Sequence, residues 1–216
     1  MSGDEGRVKD LREKLEAGEL TRKEVLKILK ERGLKHGSAR MGVLNVLGEL
    51  MMIIIWVVLC FSYIPFKLTN SPFLDFFDRL PTIVFPISII YLSIILFIVS
   101  IVLQAYVSWY RKRKGGLTDP VIIVKNGPYA IVRHPSNVLG IIHFVTIPIV
   151  LGSVIPFTVL SSIGIIILTV GMYWATLLEE KYETLRKWGD EYRQYMKEVP
   201  RFNFIKGLWN LRKRRN

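Results

Sequence analysis

Three pieces of this chain carry side chains whose types and spacing suit chemistry. They are Arg133-His134-Pro135-Ser136-Asn137, which opens a long apolar run, Glu179-Glu180, which closes it, and Arg201 in Val-Pro-Arg-Phe. A helix starting at Pro135 leaves free backbone N–H groups near Ser136 and Asn137, and such groups receive an anion. Proline at the first helical position gives up no hydrogen bond. A carboxylate pair receives an ammonium. The two ends together suit a zwitterion such as the carboxylate and amine of an amino acid. Val121-Ile122-Ile123-Val124 and Gly127-Pro128-Tyr129 add an apolar, strand-like edge and a tight turn, a backbone able to flank an aromatic ring such as adenine. The same residues also suit a purely structural corner, and residue types alone leave both readings open. Arg201 suits either an anion of a ligand or a lipid headgroup.

The elements that must position these groups are written in the hydropathy. Half of the 216 residues are hydrophobic, and they are bunched: residues 80–110 and 134–178 contain no Asp, Glu, Lys or Arg. The mean hydropathy of +0.32 is high for a domain that must solvate its own surface. About 20 apolar residues cross a bilayer as a helix. The pattern predicts an all-α, polytopic membrane protein with about four spans. The first covers about residues 43–63, the second about 82–109, and the third and fourth share about 138–178 around a turn at Gly-Ser-Val-Ile-Pro, residues 152–156. Pro148 is expected to kink or shorten the third. If the last two spans form a hairpin, His134 and Glu180 start at one membrane level.

The net charge of +12 is concentrated beside the apolar runs. Lys and Arg crowd the N-terminal part, the Arg-Lys-Arg-Lys-Gly-Gly segment that follows the second span, and everything after Leu178. The first loop between spans holds only Lys67 and Arg79, and the turn at 152–156 holds none. This alternation predicts a multi-pass protein with both termini cytosolic, and it assigns the charge to topology and membrane lipids instead of nucleic acid. Three histidines without HxxxH spacing and a single cysteine argue against a metal site. Cys60 reads as a small buried hydrophobe and His143 as a hydrogen-bonded packing residue. Glu49 lies inside the first span, where an acid is a candidate for a ligand contact or for a place near the interface.

Four regions follow. Residues 1–40 form a cytosolic, amphipathic helical region, in which Thr21 and Glu24 have capping-box spacing and Gly33 fits a helix stop. Residues 41–117 hold the first two spans, residues 118–204 the hairpin and the candidate site, and residues 205–216 a basic tail in which Trp209 and Leu-Arg-Lys-Arg-Arg read as membrane-surface chain.

Gly-Pro-Tyr-Ala-Ile-Val-Arg-His-Pro-Ser-Asn, followed by an apolar hairpin and Leu-Leu-Glu-Glu-Lys-Tyr-Glu-Thr-Leu-Arg-Lys-Trp-Gly-Asp-Glu-Tyr, resembles the isoprenylcysteine carboxyl methyltransferase family and the related phospholipid N-methyltransferases. The resemblance covers residues 118–204. It implies a cytosolic pocket in the C-terminal half for S-adenosylmethionine. Val121, Ile122, Ile123, Val124, Tyr129, His134, Pro135, Ser136, Asn137 and Glu180 would hold the cofactor. His134, Glu180 and Arg201 would serve the transfer of a methyl group to a lipophilic acceptor: a prenylcysteine carboxylate, a lipid amine or a thiol. The family usually reads Arg-His-Pro-x-Tyr-x-Gly, whereas Asn137 and Leu139 stand at the Tyr and Gly places here. Eukaryotic members carry a substrate-contacting arginine where this chain has Thr176, which makes Thr176 the candidate substrate position. Two rival expectations use the same architecture. One is a membrane reductase using NADPH on sterol-like or other lipid double bonds, with the Arg-Lys-Arg-Lys run on the 2′-phosphate. The other is a non-catalytic membrane adaptor.

Overall fold

The structure is a computed structural model. It describes residues 10–11, 13–15, 17–31, 39–64, 68, 76, 79–114 and 123–215. The regular structure among the described residues is helical, with α1 at Arg22–Glu31, α2 at Ala39–Phe61, α3 at Ile87–Lys114, α4 at Pro135–Leu151, α5 at Val159–Glu179, α6 at Leu185–Glu198 and α7 at Phe204–Arg215. Among them no strand forms. The strand-like reading of 121–124 is therefore corrected where it can be seen: Ile123 and Val124 lie in neither helix nor strand. Among the described residues no neighbouring extended segment offers this apolar run a ladder to join. Val121, Ile122 and Gly33 fall outside the described residues.

Two compact units divide the chain. One comprises Met1–Met41, Ser108–Arg133 and Tyr182–Asn216, the other Gly42–Val107 and His134–Lys181. Two helices, Ile87–Lys114 and Val159–Thr184, each lying mostly in the second unit, are long and apolar enough to cross a membrane. Pro135–Leu151 is apolar but shorter, and its 17 residues reach about 26 Å at ~1.5 Å per residue. The exposure pattern is inverted relative to a water-soluble bundle. On α3 the buried positions are Ser93, Ser100 and Val107, while Ile87, Leu92, Ile95, Ile98 and Val102 face outward. The small polar side chains settle their hydrogen bonds internally, as the Ser100 hydroxyl does on the Phe97 carbonyl at 2.8 Å, and the large apolar ones meet the surroundings, which suits hydrocarbon.

The core of this unit joins α2 to the α4–α5 hairpin. Trp56, Cys60 and Leu168 are buried together, with Phe144, Ile147 and Met172 packed on them. The Trp56 ring meets Phe144 edge-on at 4.9 Å between centroids. Cys60 is the small buried packing residue the sequence predicts, its thiol directed at the Ser161 carbonyl at 3.7 Å. His143 likewise packs, edge-on to Phe97 at 5.7 Å. Glu49 is exposed on α2. The 152–158 turn closes the hairpin where expected. There Thr158 and Ser161 cap α5 reciprocally, and the Ile83 N–H donates to the Phe157 carbonyl at 2.7 Å, tying the approach to α3 onto the same turn.

Close approach of α2 and α5 depends on Gly164. A Cβ there would stand 3.0 Å from the Leu59 Cβ and 3.3 Å from the Cys60 Sγ. The Leu59 Cβ is fixed to backbone and cannot swing aside. Gly164→Leu is expected to wedge the helices apart and destabilise the unit by about 1–3 kcal/mol, as overpacking does. A lowered melting temperature of the detergent-solubilised protein checks this, with Gly164→Ala intermediate.

The first unit is assembled from short helices and turns. The capping box of α1 forms as its spacing predicts: the Thr21 N–H donates to Glu24 at 2.7 Å and the Thr21 hydroxyl at 2.6 Å. These bonds hold the Glu24 carboxyl below its ordinary pKa. Val25 packs with Leu11, Leu15, Leu20 and Ile28. Farther along, Tyr192, Tyr195 and Val199 of α6 and the residue after it are buried with Ile123, Leu185 and Trp188. Gly127 opens the 3-10 turn Gly127–Ala130 at φ +62°, and a Cβ there would meet the Tyr110 ring at 2.6 Å. Both the left-handed backbone and the aromatic lid therefore require glycine.

Candidate functional site

The site is built by the antiparallel pairing of α4 and α5. His134 is the residue before the helix, with φ −123° and ψ 64°, and Pro135 occupies the first helical position. The His134 carbonyl accepts the Val138 N–H at 3.2 Å, the first bond of the helix. At the other end Glu180 follows the last residue of α5 and begins a π turn, Glu180–Thr184. Wide turns of this kind re-aim side chains and are frequent at functional sites.

The two helices meet in steps. His134 Nε2 and Glu180 Oε1, 46 residues apart in sequence, are 2.9 Å apart. One turn deeper, Asn137 Nδ2 donates to Thr176 Oγ1 at 2.7 Å, and that hydroxyl donates to the Met172 carbonyl at 2.8 Å. One turn deeper again, a Cβ on Gly140 would lie 3.2 Å from Met172 Cε. Each step advances three residues on α4 and retreats four on α5, as facing turns of antiparallel helices require. The arrangement turns a sequence spacing into a side-chain contact.

Glu180 keeps 2% of its side-chain surface exposed and His134 13%. A carboxylate this deeply buried needs compensation. The imidazole supplies a hydrogen bond of the charge-assisted kind, about 1.5–3 kcal/mol when one partner is ionised. The first turn of α4 supplies the positive end of a helix dipole beside it. What the arrangement can do chemically is hold one negative group rigidly at a helix start and orient an imidazole against it. A carboxylate fixing an imidazole is the arrangement that prepares a ring nitrogen to accept a proton.

The other predicted site residues divide between the units. Pro135, Ser136, Asn137 and Thr176 stand with His134 and Glu180 in the second. Ile123, Val124, Tyr129 and Arg201 belong to the first. Tyr129 is buried, and its carbonyl accepts the Tyr195 hydroxyl at 2.6 Å. Ile123 sits against the Tyr192–Tyr195 cluster. Arg201 is half-buried, directly after Pro200, whose carbonyl accepts the Arg133 N–H at 3.0 Å. Thr176 is buried and engaged by Asn137. Sequence reasoning placed Asn137 and Thr176 on separate ligands and missed their mutual bond. The signal was present in the spacing of 39 residues, one turn inside the 46 that separate His134 from Glu180. The π turn had no signal in Glu-Lys-Tyr-Glu-Thr.

Comparison with known proteins finds no protein-family model, no curated protein and no solved structure that matches this chain.

Proposed function

We propose that this chain is a four-span integral membrane methyltransferase, with both termini cytosolic, that uses S-adenosylmethionine on a lipophilic acceptor. The observation that carries the reading is the buried contact of His134 with Glu180 at 2.9 Å, built from the two motifs on which the family resemblance rests.

The donor set fits the amino-acid end of that cofactor. Glu180 is an anion able to receive an ammonium, and the N–H groups of the first turn of α4, at Ser136 and Asn137, suit a carboxylate. When bound, S-adenosylmethionine supplies a sulfonium methyl group open to in-line attack. The chain's own contribution is orientation and exclusion of water. His134 holds the Glu180 carboxylate in place, and for an amine acceptor its imidazole is the group that takes the proton. The apolar flanks of α3 and α5 leave the acceptor's hydrocarbon in lipid. Thr176 is neutral and already bonded on both sides, so it offers no counter-charge to a prenylcysteine carboxylate. That favours a lipid amine or a thiol as acceptor.

Ligand-dependent melting of the full chain in detergent tests the proposal. S-adenosylhomocysteine at about 100 times its Kd adds about 2.7 kcal/mol to the folded state, and the melting temperature rises accordingly, while NADPH leaves it unchanged. A rise with NADPH alone overturns the proposal in favour of the lipid reductase, and no rise with either favours the adaptor.

A further inference from the structure

The last helix presents two faces with different fates. Gly207 is buried, so close to the first unit that a Cβ would overlap the Ile131 carbonyl. Asn210 Nδ2 donates to the Glu198 carbonyl at 2.9 Å, and Arg214 Nη2 donates to the Ala130 carbonyl at 2.7 Å. These three residues, at spacings of three and four, form one stripe of α7. The opposite stripe holds Ile205, Leu208, Trp209 and Arg212. Ile205 is 82% exposed and Trp209 60%. Lys206 and Lys213 flank it, both exposed, and the Lys213 ammonium stands over the Trp209 ring at 5.5 Å. The helix is thus clamped by its polar side and turns its apolar side outward, between cations.

We propose that this outward face of α7 docks on the anionic headgroups of the bilayer that holds the chain. Charge complementarity selects the occupant. An apolar stripe edged by Lys and Arg, with an aromatic ring at its border, matches the boundary between acyl chains and acidic headgroups. The alkyl stems of Arg212 and Lys213 cover apolar surface while their charged ends remain with phosphate. The proposal rests on the membrane-spanning part of the functional reading and is independent of methyl transfer.

A fluorophore sensitive to polarity, attached at Ile205→Cys in the full chain, reads the docking directly. Cys60 is buried, and the unsubstituted chain controls for its labelling. In vesicles of phosphatidylcholine with one quarter phosphatidylglycerol, the emission shifts to the blue and is quenched by nitroxide lipids. In pure phosphatidylcholine both effects weaken. Arg212→Glu with Lys213→Glu removes them, at about fivefold in the docking equilibrium per basic charge lost, and high salt weakens them in the unsubstituted protein. Emission that stays water-like in both vesicles overturns the proposal. Equal quenching in both overturns it as well, since headgroup charge then plays no part. A blue shift in detergent that grows with protein concentration assigns the face to a second copy of the chain, which also overturns it. Circular dichroism of both variants confirms that the charge reversal leaves the helices intact.

Discussion

Glu180→Gln is expected to abolish the rise in melting temperature that S-adenosylhomocysteine gives the unsubstituted protein. The substitution keeps the side chain's size and its ability to accept a hydrogen bond from His134, which in the native protein lies 2.9 Å away. It removes the negative charge, and with it the attraction for an ammonium. A hydrogen bond to a charged group contributes about 1.5–3 kcal/mol, so affinity falls by at least about tenfold, enough to erase the shift at a concentration near the native Kd. The burial of Glu180 at 2% exposure raises the effect, because solvent does not screen the lost charge. The melting temperature without ligand separates this from unfolding. Gln still fits the site, so the unliganded protein stays folded and the loss is specific to the ligand. His134→Asn sharpens the test. If His134 positions Glu180, this variant weakens the ligand shift without removing it. A Glu180→Gln protein that retains the full shift refutes the assignment of the ammonium to this carboxylate.

The step pattern that makes this site was largely legible in advance. Two helices of an antiparallel hairpin bring together residues whose sequence numbers sum to a near constant. A turn at 152–156 therefore predicts His134 beside Glu180 from the sequence alone. Proline at the first position of α4 and the glycine-proline boundaries of the turn were equally local signals. Other features resisted for physical reasons. The direct bond between His134 and Glu180 depends on side-chain directions that periodicity does not encode. The sequence suggested two groups gripping opposite ends of a ligand, whereas the structure has them gripping each other. The edge at Ile123 and Val124 was read as strand-like because short apolar runs look the same whether or not a partner exists, and the partner is a tertiary fact. The split of Tyr129 and Arg201 from His134 and Glu180 into separate units lies beyond any single-sequence pattern, since Arg133 and His134 are adjacent in the chain and belong to different units.

The largest structural effect is expected from Gly207→Ala, and its sign is informative. In an open helix, alanine in place of glycine stabilises by about 0.5–1 kcal/mol through backbone entropy. Gly48 of α2 is such a position, with nothing within 4 Å of an added Cβ, and Gly48→Ala should be neutral or mildly stabilising. At Gly207 the added methyl would run into the Ile131 carbonyl oxygen and carbon. These are backbone atoms that no rotamer change can withdraw. Either α7 lifts away or the 130–133 segment moves. Lifting the helix also breaks the Asn210 bond to the Glu198 carbonyl and the Arg214 bond to the Ala130 carbonyl, each contributing about 0.5–1.5 kcal/mol. The methyl group alone contributes about 1–3 kcal/mol of overpacking, so strain exceeds the entropic gain and the net change is destabilising. Limited proteolysis reads this locally. In the variant, cleavage within the Lys- and Arg-rich α7 becomes faster while the apolar hairpin stays protected, because the two lie in different units. A Gly207→Ala protein as resistant to cleavage as the native chain would show that α7 is not seated on the Ile131 carbonyl.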